Sequence, residues 1–194
     1  MRLSNAEHEA HPWLIAQLAP DFELLDVWAL PAEGRADEFS TLLDVVTSLD
    51  PTRSDSPATR ALFALRFRLG AALGWDDPGE RPVPGSSETT LRARVPDELH
   101  DASTPPKRVG STRFVPIYRT EDEWAAEISN STVHGVMHLA WVERADGIYR
   151  GQMAVYVKPR GRLGALYMAL IGPFRHLIVY PALMRQIGRA WDAR

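Results

Sequence analysis

A chain of 194 residues, 45% apolar and 24% charged, is long enough for one domain with a full hydrophobic core. A net charge of −3 and a pI near 6.1 argue against a nucleic-acid-binding protein, which needs a basic footprint to release counterions. There is no cysteine, which excludes disulfides, thiol catalysis and thiolate-bound zinc.

Met1–Gln17 carries acidic residues and histidines, and its apolar stretch is too short for a secretory leader. A cytoplasmic, bacterial-type protein is the expectation. Phe22–Leu30 (FELLDVWAL) is rich in apolar and aromatic residues and reads as a first strand ending at Pro31. Asp37 stands where it could cap a helix to Leu49, with Phe39, Leu42, Leu43, Val45, Val46 and Leu49 at helical spacing. Asp50-Pro51 ends that helix. Ser56-Pro57 then opens a second, Ala58–Leu73, apolar nearly all round and stopping at Gly74. Asp76–Thr112, with prolines at 78, 82, 84, 96, 105 and 106, reads as a loop-rich excursion within a single domain spanning 1–194. Within it, Thr89–Val95 reads as a short strand or turn.

Strands return with Phe114–Arg119 and Trp124–Asn130, the latter competing with a helical turn over Glu121–Glu127. Asn130-Ser131-Thr132 matches the glycosylation pattern but reads as a turn. Thr132–Arg144 and Ile148–Pro159 alternate and are joined by Ala145-Asp146-Gly147, a hairpin signal. Val133, Met137, Leu139 and Trp141 share one face of the first segment, and Met153, Val155 and Val157 one face of the second. That sheet face is the drier one.

The apolar run Leu163–Ile187 closes the chain. It has the length of a membrane span, but Arg175 and His176 fall near its middle and Pro173 and Pro181 interrupt it. One central arginine opposes insertion by about 2.5–3.5 kcal/mol, against about 0.3–0.6 kcal/mol gained per Leu or Ile. A helix buried against the sheet is therefore expected rather than a transmembrane segment. No internal repeat is present.

The fold class that follows is α+β: an antiparallel sheet wrapped around a long C-terminal helix, with two helices between the first and second strands. Several segments carry a resemblance: HPWLIAQLAPDFELLDVWALP, RFRLGAALGWDD, EISNSTVHGVMHLAWV, GQMAVYVKPRG and PFRHLIVYPALMRQIGRAW. They resemble a bacterial family of uncharacterised proteins near the START, or SRPBCC, helix-grip superfamily of birch-pollen-allergen-like folds. The resemblance implies a cavity between sheet and terminal helix and supplies no catalytic residues. The superfamily pattern has seven strands, and about five are readable here.

Candidate ligand-binding residues are Trp28, Met137, Leu139, Trp141, Met153, Val155, Tyr167, Leu170, Phe174, Arg175 and Leu177. They combine apolar bodies with a few polar tips, the composition of small-molecule pockets. Arg175 needs a carboxylate, exposure or an anionic ligand. His134 and His138 lie four residues apart on one strand face, about 13 Å by rise, too far to share a metal ion. They read as polar residues on the outer sheet face, with Glu123 and Glu127 as a solvated rim able to pair with basic neighbours. Lys158-Pro159-Arg160-Gly161-Arg162 reads as a solvated basic turn, since no phosphate-loop pattern surrounds it. No metal site and no cofactor are expected.

These residues point to binding of a small hydrophobic or amphipathic molecule. A cyclase, dehydratase or hydrolase acting on a polyketide- or lipid-like substrate is the alternative. It would need a polar group such as Tyr156, His138 or His176 inside the cavity. A third reading makes Leu163–Met184 a membrane-surface or oligomer contact and leaves a homodimer open.

Overall fold

The computed structural model describes residues 1–49, 81–100 and 114–194, with isolated positions between 57 and 68. Five antiparallel strands form one sheet: β1 (Glu23–Gly34), β2 (Val115–Arg119), β3 (Glu123–Ser129), β4 (Val133–Glu143) and β5 (Tyr149–Pro159). Their order across the sheet is β1-β5-β4-β3-β2. β1 and β2 are therefore the edges, and the alternating pair β4 and β5 lies inside.

The β4–β5 hairpin turns where the sequence signals it. Gly147 adopts φ +77°, a left-handed conformation that glycine reaches without steric cost. Its N–H bonds the Arg144 carbonyl at 2.9 Å. Between β3 and β4, the Asn130 side-chain oxygen accepts from the backbone of Thr132 and Val133 and from the Thr132 hydroxyl. That Asx turn is the role expected for Asn130-Ser131-Thr132.

β1 runs past its expected end. Pro31 lies inside it, because an edge strand can lose one ladder donor. The pairing with β5 shifts register between Ala29 and Glu33 to accommodate it. The helix that follows, α3 (Phe39–Ser48), buries Phe39, Leu42, Leu43, Val45 and Val46 as its spacing predicts. Asp37 is not its cap. It sits in a 3-10 turn, Ala36–Glu38, whose start is closed by the Glu38 carboxylate accepting from Arg35 N–H at 2.7 Å. The predicted helix at 58–73 falls largely outside the described residues. Thr89–Val95 forms a 3-10 turn, Leu91–Arg94, capped by Thr90. A helical turn, α4 (Asp97–His100), follows it.

Both faces of the sheet are dry. One carries α3 and the C-terminal helix, around a core of Leu30, Leu42, Leu43, Trp124, Leu139, Trp141, Met153, Ile187 and Trp191. The other is covered by α1 (Asn5–Glu9), α2 (Leu14–Leu18) and the 81–95 segment, around Trp13, Ile15, Leu18, Val27, Leu91, Tyr118 and Ala154. The expectation of an outer face bearing His134 and His138 is thereby corrected: both side chains are fully buried, His138 against His8 and Trp13 and His134 against Phe22.

The C-terminal helix is continuous from Gly161 to Asp192 but has two halves. α5 (Gly161–Phe174) and α6 (Tyr180–Asp192) are joined by a π-helical turn, Arg175–Val179. Pro173 lacks an N–H and crowds the preceding turn, a recognised cause of such irregularity. α6 packs on the sheet through Tyr180, Ala182, Ile187 and Trp191. α5 buries only Gly164, where an added Cβ would stand 2.1 Å from the Thr132 carbonyl oxygen. The expectation of a buried terminal helix is corrected as well. By length and composition this helix could cross a membrane, yet only 11% of its apolar window is buried. Hydrophobic length fixed the helix, whereas the stand-off of α5 left it half uncovered.

Candidate functional site

Where α5 stands off the sheet, a cavity of about 360 Å³ remains beneath it. Its floor is the dry face of the hairpin: Val133, Gly135 and Met137 of β4, with Met153, Val155 and Val157 of β5. Its roof comes from Tyr167, Met168 and Ile171 of α5, then from Arg175, Val179 and Leu183 beyond them. Val46, Leu49 and Phe114 close one side. Among the described residues the lining is nearly all apolar, and the polar side chains reaching it are Asn130, Arg175, Gln186 and the tyrosines 167 and 180.

Arg175 enters the roof already paired. Its guanidinium donates to Asp26 at 2.8 Å, and the Tyr180 hydroxyl donates to the same carboxylate oxygen at 3.2 Å. His176 approaches the other oxygen at 3.2 Å and Arg2 at 3.6 Å. Asp26 is fully buried, and the two hydrogen bonds on one oxygen, with the cationic side chains near the other, are what make its charge tolerable there. The wide π turn lets two consecutive residues, Arg175 and His176, reach one carboxylate. Burial raises the Tyr180 hydroxyl, opposed by Arg175 and helped by Asp26, so it stays a donor. The Arg175 Nε is buried with no hydrogen-bond partner among the described residues.

Of the residues expected to bind a ligand, Met137, Met153, Val155, Tyr167 and Arg175 line the cavity. Leu139 and Trp141 share that sheet face but are packed in the core beside α6, with Trp141 5.7 Å from the Trp191 ring. Trp28 lies on β1 against Tyr180 and His176, with ring centroids 4.9 and 6.2 Å away. Leu170, Phe174 and Leu177 point outward and are 63, 51 and 76% exposed. Met168, Ile171 and Val157 are lining residues beyond the expected set, and they continue the periodicities that identified their neighbours.

A second polar arrangement lies on the opposite face, away from the cavity. β3 offers Glu123 and Glu127, and β4 offers His138 and His134. His138 Nε2 meets Glu123 at 2.9 Å, and His134 Nε2 meets Glu127 at 2.8 Å. Tyr118 O–H and Leu14 N–H also donate to Glu123, at 2.7 and 3.0 Å. Thr90 and the Leu91 N–H donate to Glu127. Burial pushes the Glu123 carboxyl up, but the His138 ring, Tyr118 and the Leu14 amide overcome this and hold it below the usual carboxylate range.

His8 adds a third buried histidine. Its Nδ1 donates to the Gln152 oxygen at 2.5 Å, so its Nε2 accepts from Tyr156 O–H at 2.9 Å. Burial drives its pKa down to about 4. His138 and Tyr156, which an enzymatic reading would need inside the cavity, therefore face away from it. His176 is held by Asp26. No group of three or more His, Asp or Glu side chains among the described residues could hold a metal ion.

The basic turn is largely tied down. Lys158 pairs with Asp21, and Arg160 donates to the Pro82 carbonyl and Ser129. Among known proteins, neither a curated protein nor a solved structure matches this chain. A family model does match, over residues 18–182, and its description is a protein of unknown function (DUF2867).

Proposed function

The chain belongs to the DUF2867 family, and on its own geometry we propose that it binds a small hydrophobic or amphipathic molecule between the β4–β5 hairpin and α5. One observation carries this reading: a cavity of about 360 Å³ with an apolar lining in the place where sheet and helix would otherwise pack. Known small-molecule sites occupy roughly 300–1,000 Å³ and combine apolar walls with a few placed polar groups. Arg175, Asn130 and Gln186 are such groups, and they favour a ligand with one polar end.

The test is stoichiometric uptake of a lipophilic fluorescent probe, together with native mass spectrometry of protein purified without detergent. Val155→Trp places an indole in the cavity floor and is expected to lower probe affinity at least about tenfold with the circular dichroism unchanged. Wild-type protein that is folded, carries no co-purified molecule and takes up no probe overturns the reading.

A further inference from the structure

We infer that the outer face of α5 is a docking surface for an anionic lipid bilayer. Leu163, Leu166, Leu170, Phe174 and Leu177 are 77, 57, 63, 51 and 76% exposed. Their spacing of three and four residues puts them on one stripe of the helix, about 21 Å long at 1.5 Å per residue. An aligned apolar stripe of that length exceeds the scattered single residues normal on a protein surface. None of these five side chains lines the cavity, so the stripe is separate from the proposed binding site.

Charge decides what covers the stripe. From Lys158 to the C-terminus the chain has seven basic side chains and one acidic, Asp192. Subtracted from totals of 22 and 25, this leaves 15 basic and 24 acidic for the first 157 residues. Lys158, Arg175 and Arg194 are matched by Asp21, Asp26 and Glu38, so the cationic rim of the exposed stripe is Arg162 and Arg185. Arg162 flanks the stripe at its start, and Arg185 lies exposed two turns beyond its last leucine. Neither forms an ion pair with any described residue. A second copy meeting this face would set arginines against arginines. An anionic lipid surface supplies opposite charge for the rim and an acyl boundary for the leucines, the combination that holds an interfacial helix in place.

The experiment is flotation of the full chain with vesicles of phosphatidylcholine alone and of phosphatidylcholine with phosphatidylglycerol. The protein is expected to float with the anionic vesicles, and salt is expected to weaken this binding. Leu166→Glu with Leu170→Glu is expected to abolish flotation. Arg162→Glu with Arg185→Glu is expected to weaken it roughly tenfold or more. All four positions are exposed, so unchanged circular dichroism shows that the fold survives. Folded wild-type protein that floats with neither vesicle overturns the inference. So does a dimer, seen by light scattering, that the leucine substitutions dissociate, because the occupant is then another copy of the chain.

Discussion

Asp26 shows how a buried charge is kept. Fully enclosed, it is ringed by Arg175, Arg2, His176 and Tyr180, drawn from both ends of the chain. Removing one partner from such a set is costly because it leaves the carboxylate uncompensated. His8 illustrates the opposite solution, a titratable ring kept uncharged by burial. Burial holds its pKa in the folded chain at about 4, below the ordinary imidazole value of 6.5. Between those values the unfolded chain binds a proton that the folded chain refuses, so stability falls as pH drops from 6.5 to 4. That difference corresponds to about 3 kcal/mol from this residue. The melting temperature is therefore expected to fall over that interval, and His8→Gln to flatten the dependence; an equally steep profile in the variant would assign the effect elsewhere. Glu123 acts in the same direction at lower pH. Its depressed carboxyl contributes stability above the usual carboxylate range that is lost as pH falls through it.

The elements divide by how local their signals are. The β4–β5 hairpin, α3 and the terminal helix were legible because their periodicities and turn residues lie within each segment. Pro31 misled because edge position, not composition, decides whether a strand tolerates proline. The histidine–glutamate pairs had a readable signal. Glu123 and Glu127 are four apart on β3, His134 and His138 are four apart on β4, and a tight turn joins the strands. Matching intervals across a hairpin put diagonal partners on the same face. What hid their burial was the N-terminal cover, whose contacts span 144 and 148 residues from His8 to Gln152 and Tyr156. α5 depends on one close approach. Gly164→Ala sets a methyl against the Thr132 carbonyl and is expected to cost about 1–3 kcal/mol, measurable by urea denaturation. An unchanged midpoint would mean that the helix end yields freely.

For the whole molecule, the sheet is the middle of three layers, and neither face can do without its cover. Deleting residues 1–18 would strip His8, Trp13, Ile15 and Leu18 from the back face, leave Gln152 and Tyr156 without their His8 partner and open the His138–Glu123 contact to water. Such a chain is expected to lose its near-ultraviolet circular dichroism and its cooperative unfolding transition, because the exposed face is contiguous apolar surface. A deletion that still melts cooperatively would show that the helix-side core holds the sheet unaided. A space between sheet and terminal helix was an expectation of the family resemblance, whereas which residues reach it was not legible in the sequence. Residues of the right type at Leu170, Phe174 and Leu177 turn outward, since amphipathic spacing marks a face without saying which neighbour it meets.

The roof over the hollow is fastened at two points, Gly164 against Thr132 at one end and Arg175 with its neighbours on Asp26 at the other. Two anchors of this kind set the height of the span above the sheet. Under the proposed function, adjustment to ligands of different outline would fall to the thioether chains of Met137, Met153 and Met168, which are unbranched and pivot at low cost. Tolerance of shape within a fixed ceiling is what this fastening imposes.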